Sequence, residues 1–216
     1  MTKAVIFDLD GTLLNTLGDL TAAVNHGLAA CGLPLRTEGE VRTFVGDGVK
    51  QLIARSCPAD ADEGTKAAVL AKYLPYYAAH NMDFTAPYAG VMELLTALRQ
   101  RGVKTAVVSN KHDPAVQTLC ARYFDGLLDL AVGGGDTRPL KPAPDSLLYA
   151  MAQLGVTADE TWYVGDSVQD VLTARAAGVP CVAVTWGFQD ASRLAAENPA
   201  ALAEDAAAVL TAVWES

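Results

Sequence analysis

The apolar positions of this chain change their spacing twice. Ala4, Val5, Ile6 and Phe7 form an uninterrupted apolar run that stops at Asp8, the pattern of a short strand covered on both faces in a parallel sheet. From there to about residue 81 the spacing is helical. Leu20, Ala23, Val24, Leu28 and Cys31 fall on one helix face, with Asp19 placed to cap its start and Gly32 its end. Thr37 and Glu40 have the spacing of a capping box for a second helix. Val49, Leu52 and Ile53 predict a third, and a fourth runs from about Glu63 to His80, bent or interrupted at Pro75.

From Gly90 onward helix and strand patterns alternate. A helix through Val91, Leu94, Leu95 and Leu98 ends at Gly102 and is followed by the strand VKTAVVS; Asp113 and Pro114 then open a helix. Next come the strand LDLAV, a helix through Leu148, Met151 and Leu154, the strand TWYV, a helix ended by Gly178, and the strand CVAVT. Such alternation predicts an α/β fold with a doubly wound parallel sheet. The first strand belongs with this later set. The expected organisation is therefore an α/β core from residues 1–14 and 82–216, with 15–81 as a helical insertion.

Composition narrows the function. The chain has 216 residues, 51% of them apolar, and a formal charge of −9. No basic patch is visible, which excludes a nucleic-acid partner as the expectation. The apolar runs are too short for a signal peptide or a membrane span, so a cytoplasmic location and no membrane partner are expected. Cys31, Cys57, Cys120 and Cys181 lack metal or redox spacing and read as reduced, buried thiols.

The polar residues with chemical potential follow the predicted strands, where the ligand crevice of a doubly wound sheet lies. Asp8, Asp10 and Thr12 follow the first; Ser109, Asn110 and Lys111 follow VKTAVV; Lys141 follows LDLAV and its loop; Asp166, Ser167 and Asp170 follow TWYV. Carboxylates converging on one rim repel unless a cation sits between them. An oxygen-only donor set favours a hard ion, Mg²⁺, with Asp8 and Asp166 as its natural ligands. Beside such an ion Asp8 can attack phosphorus, Asp10 can serve as acid and then base, and Ser109 and Lys141 can hold the phosphoryl oxygens. Thr12 and Asn110 join Ser109 and Lys141 as expected substrate contacts. Gly46 and Gly48 either offer backbone amides to a substrate anion or simply form an inter-helix turn.

DLDGTL at 8–13, VVSNK at 107–111, KPAPD at 141–145 and VGDSVQD at 164–170 resemble the four ordered motifs of the haloacid dehalogenase superfamily, in its phosphatase branch. FVGDGVKQLI at 44–53 and GGGDTRPLKPAPDSLL are similar to segments of phosphoglycolate phosphatases. The resemblance implies that Asp8 is the nucleophile and that Asp10 is the acid/base and lends its backbone carbonyl to Mg²⁺. It further implies that Asp166 completes the metal site and that Asp170 lies behind it, orienting Lys141 or a metal-bound water. It implies hydrolysis of 2-phosphoglycolate, a small phosphorylated metabolite, by a monomer or homodimer. The helical insertion at 15–81 resembles the family's all-helical cap over a catalytic core of 1–14 and 82–216, and Asn15 and Thr16 replace the aspartate and serine of many relatives at its entrance. The alternatives within the fold are a pyrophosphatase, a sugar-phosphate phosphatase or a phosphomutase. Outside catalysis, the alternative is a phosphoacceptor signalling domain.

Overall fold

The computed structural model describes residues 1–135 and 137–214. Asp136, within GGGDTRPLKPAPDSLL, and the last two residues lie outside the described residues. Six parallel strands form the central sheet: β1 (Ala4–Phe7), β4 (Lys104–His112), β5 (Leu130–Gly134), β6 (Thr161–Gly165), β7 (Cys181–Val184) and β8 (Ala201–Ala203), in the order β5-β4-β1-β6-β7-β8. The apolar run that opens the chain is central and wholly buried. Ala4 registers with Lys104 on one side and Thr161 on the other.

Two apolar layers cover the sheet. Val5, Phe7, Val107 and Val164 pack on one face against α5 (Val91–Gln100), α6 (Asp113–Tyr123) and α10 (Ala206–Trp214). Ala4, Ile6, Val108 and Tyr163 pack on the other against α7 (Asp145–Leu154), α8 (Val168–Ala177) and α9 (Ala191–Ala196). Strand alternation thus divides the same strands between two cores, as a doubly wound sheet requires. Among the described residues, no helix is long and apolar enough to cross a membrane.

Between β2 (Leu14–Asn15) and β3 (Ala86–Pro87), which pair antiparallel, the chain forms α1 (Leu17–Ala30), α2 (Glu38–Phe44), α3 (Val49–Ser56) and α4 (Glu63–His80). These helices share a third apolar cluster built on Leu20, Val24, Leu28, Ile53, Val69 and Tyr73. The Thr37–Glu40 capping box forms, with reciprocal bonds of 3.2 and 2.8 Å. Pro75 lies inside a continuous α4, which is not interrupted there.

Asp19 does not cap α1, which begins at Leu17. Its buried carboxylate instead accepts from the Phe84 and Thr85 amides and the Thr85 hydroxyl at 2.6–3.0 Å. It fastens the exit of the helical segment to its entrance. Gly133 and Gly134 end β5 where it packs tightly against the neighbouring stretch of chain. A β carbon on Gly133 would meet the backbone of Lys111 and Asp113, and one on Gly134 that of Asn110.

Candidate active site

The chain leaves β1 at Asp8 and turns sharply at Gly11, whose φ of 83° falls in the left-handed region. β4 loses regular register with β5 between Val108 and His112. Ser109, Asn110 and Lys111 occupy this irregular stretch, the kind of distortion that re-aims side chains near active sites. Gly165 ends β6, and Asp166 follows it toward α8. These three strand ends and the loop bearing Lys141 meet beneath α1–α4.

Lys141 is the centre of the rim. Its Nζ lies 2.9 Å from Asp8 Oδ1, 2.7 Å from Asp170 Oδ1, 3.1 Å from the Tyr163 hydroxyl and 3.3 Å from Val108 O. Burial opposes its charge, but Asp170 and Asp8 outweigh burial and hold its pKa well above that of a free lysine. Asp170 is fully buried and also accepts from the Ser167 amide at 3.0 Å and the Ser167 hydroxyl at 2.5 Å. The Ser167 amide bond, with the Asp170 amide donating back to Ser167 Oγ at 3.3 Å, forms the capping box of α8, so the start of that helix fixes the carboxylate that fixes the lysine.

Asp166 accepts from Thr12 Oγ1 at 3.1 Å and the Phe188 amide at 2.7 Å. Space for it is made by omission: a β carbon on Gly11 or Gly187 would overlap the Asp166 side chain. Burial, then Asp170 and Asp8, push the Asp166 pKa well above the usual carboxylate range. Burial is also the first cause for Asp8, which is raised to about 6 despite the opposing influence of Lys141. Oxygens of Asp8, Asp166 and Asp170 come within 4.8 Å of one another.

This donor set fits a hard divalent cation: oxygen ligands only, in a buried acidic cluster that a positive ion would relieve. Of the three, Asp8 and Asp166 line the cavity and Asp170 does not, so the first two are the carboxylates placed to face an ion.

The Asp10 carboxylate stands apart from that cluster. Lys111 Nζ approaches both of its oxygens at 3.0 Å, and the Thr16 hydroxyl donates to Oδ1 at 2.9 Å. The Lys111 ammonium lies 4.6 Å from the centre of the Tyr77 ring. A cavity of about 440 Å³ opens beside these groups, lined by Asp8, Asp10, Ser109, Lys111 and Asp166 on the rim and by Val49, Leu52, Tyr73 and Tyr77 from the helices.

The remaining expected contacts divide. Ser109, Gly46 and Gly48 line the cavity; Ser109 Oγ accepts from the Lys111 amide at 3.3 Å. Thr12 does not line it, because its hydroxyl faces Asp166. Asn110 borders the cavity, yet its side-chain amide donates to Gly46 O at 2.9 Å and Lys141 O at 3.0 Å, while its oxygen accepts from the Lys141 amide at 2.7 Å. With both donors committed to backbone, Asn110 ties the helical segment to the lysine loop and has none to offer a substrate. Two further ties cross the same boundary: Arg42 donates to Phe188 O and Gly187 O, and Gln169 to Asp47.

Sequence reasoning set Lys111 beside the rim and Thr16 at the entrance to the helices without a role for either, and assigned none to Tyr77 or Gly187. Lys111 had a signal in VVSNK, two positions beyond Ser109. Tyr77 and Gly187 had none, since the residues they meet, Lys111 and Asp166, are distant in sequence, whereas Thr16 lies six positions from Asp10.

Comparison with known proteins adds independent information. A model of the haloacid dehalogenase-like hydrolases matches residues 5–184. A phosphoglycolate phosphatase of Pseudomonas putida is 37% identical over 97% of this chain and 79% of its own length. Another, of Rhodospirillum rubrum, is 40% identical over 87% and 81%. The crystal structure of a candidate phosphoglycolate phosphatase from Lactobacillus delbrueckii subsp. bulgaricus superposes with a TM-score of 0.93, at 34% identity and 99% coverage of both chains.

Proposed function

The chain belongs to the haloacid dehalogenase-like hydrolases and is a phosphatase of that family, and from that premise we propose that it hydrolyses 2-phosphoglycolate through an aspartyl-phosphate on Asp8, with Mg²⁺ as cofactor. The observation that carries the reading is the buried Asp8 carboxylate at a strand end, held 2.9 Å from Lys141 and open to the cavity. The names of the curated relatives support the choice of substrate.

An Asp8 oxygen attacks phosphorus and the bond from phosphorus to the ester oxygen breaks. Asp10 gives its proton to that leaving oxygen, so glycolate departs without developing an alkoxide. Asp10 then takes a proton from the water that attacks the aspartyl-phosphate, which returns Asp8 and releases phosphate. Ser109 and Lys141 hold the phosphoryl oxygens, Lys141 exchanging its Asp8 contact for the phosphoryl group as that group arrives.

Asp8, Asp166 and the Asp10 carbonyl are the donors for Mg²⁺, which when bound offsets repulsion between the Asp8 carboxylate and the phosphoryl dianion. Asp170 positions Lys141. Residues 15–81 act as a cap on the core of 1–14 and 82–216, covering the reaction and limiting water.

Cavity size favours one second reading. About 440 Å³ is far more than a two-carbon phosphoester fills, and Tyr73 and Tyr77 give its wall flat apolar faces, so larger esters such as sugar phosphates are also admitted.

Phosphate release with Mg²⁺ from 2-phosphoglycolate, pyrophosphate, glucose phosphates and nucleotides separates the two. The highest kcat/KM is expected for 2-phosphoglycolate, and comparable values across the esters would replace it with the broader reading. Asp8→Asn is expected to lose about 10³-fold or more in kcat; retention of turnover by that variant would refute the nucleophile assignment.

A further inference from the structure

Lys141 is wholly engaged. Its ammonium is shared between Asp8 and Asp170, and it is absent from the cavity lining. Among the described residues lining the cavity, Lys111 is the only lysine or arginine, set against the carboxyl groups of Asp8, Asp10 and Asp166. A phosphoester that also carries a carboxylate meets repulsion at this wall unless a cation receives its acid group. Lys111 is placed for that, with its side chain only 5% exposed, so its charge is little screened by water. Its present partner is the Asp10 carboxylate.

A second observation marks the same wall as built for a ligand. The Tyr77 ring lies under the Lys111 ammonium, and the buried Tyr77 hydroxyl has no hydrogen-bond partner among the described residues. A buried hydroxyl left unpaired costs stability, and an incoming acceptor would satisfy it.

Building on the phosphatase reading above, we propose that Lys111 is the specificity-determining residue for an anionic group on the leaving alcohol. A substrate carboxylate takes the place of Asp10 on Lys111, with Tyr77 as an additional donor, and Asp10 is thereby freed to turn toward the leaving oxygen. Recognition of the acid end and release of the proton donor are then one exchange of ion-pair partners. A phosphoester lacking the acid group leaves Asp10 held by Lys111 and Thr16. Discrimination therefore falls on kcat as well as KM.

The test compares 2-phosphoglycolate with ethyl phosphate, which has the same two-carbon length and no carboxylate. The wild type is expected to favour 2-phosphoglycolate strongly. In Lys111→Met the ratio of the two kcat/KM values should fall about 30-fold or more, whatever common factor affects both. Lys111→Arg should restore part of the ratio, and Tyr77→Phe should lower it by a smaller factor. Circular dichroism checks folding, and Lys111→Gln, which keeps a donor for Asp10, replaces the Met variant if that fails to fold.

Equal losses on both substrates would overturn the assignment, leaving Lys111 as a support for Asp10 alone. A wild type that turns over other phosphoesters but not 2-phosphoglycolate would overturn the substrate reading and this proposal together. The two failures are therefore distinguishable.

Discussion

The two walls of the cavity are built on different principles. On the sheet side the charged groups are interlocked: Lys141 holds Asp8 and Asp170, Ser167 holds Asp170, and Thr12 and Phe188 hold Asp166. On the helical side Val49, Leu52, Tyr73 and Tyr77 are apolar or aromatic, and attachment to the sheet side relies on a few bonds, several of them to backbone carbonyls. One wall is over-determined and suited to chemistry, since preorganised groups need not move as charge develops. The other is joined by bonds that can be broken a few at a time, and is suited to selecting what enters. Damage to the interlocked groups of the first should therefore appear in stability and kcat, and damage to the second, or to Lys111 where the two meet, in KM and substrate preference.

The sharpest way to break that contrast is Asp170→Ala. It strips a buried lysine of its closest partner, and such losses cost about 3–5 kcal/mol. Urea unfolding should show a drop of that order together with loss of turnover; a stability change under 1 kcal/mol would mean the rim is not interlocked.

A slightly smaller effect is expected from pH in the metal-free protein. Asp8 is raised from 3.8 to about 6 by burial in the folded state, so between those values the folded protein keeps a proton that the unfolded chain has released. Its contribution to stability is largest below about pH 4 and is lost as pH rises through 6, amounting to about 3 kcal/mol. Asp166 is shifted in the same direction. Thermal unfolding in a chelator should follow that sign. Added Mg²⁺ should raise Tm at pH 7 and do little at pH 4.5; no Mg²⁺ effect at either pH would contradict the metal assignment.

Gly187→Ala should come next. The new methyl overlaps Asp166, and overpacking of this kind costs about 1–3 kcal/mol. The Mg²⁺ concentration for half-maximal activity should rise at least several-fold.

The smallest effect is expected on the helical side. Gln169→Ala removes the bond to Asp47 and should cost about 1 kcal/mol or less, with KM rising more than kcat falls. A larger fall in kcat would show that the helical wall takes part in the chemistry.

The parts of this architecture legible in sequence were those with local causes. The strand at Ala4–Phe7 is a contiguous apolar run, and the Thr37–Glu40 box closes over three residues. The rim aspartates and Lys141 could be collected because a parallel sheet brings its strand ends to one edge.

Asp19 was misread as a cap because its partners, Phe84 and Thr85, lie more than sixty positions away. The Asp10–Lys111 pair spans 101 positions and is invisible to spacing. Thr12 and Asn110 sit where the sequence suggests, yet their side chains turn to Asp166 and to backbone. That choice depends on packing, which no single segment encodes.

Three glycines carry a consequence for how the protein can vary. The positions that β carbons would take on Gly11, Gly165 and Gly187 are filled by the side chains of Asp166 and Asp170. Every amino-acid replacement there adds at least one carbon atom, so no conservative replacement exists. Heredity can explore the helical wall in small steps, whereas at these three addresses even the smallest replacement disturbs a rim carboxylate at once.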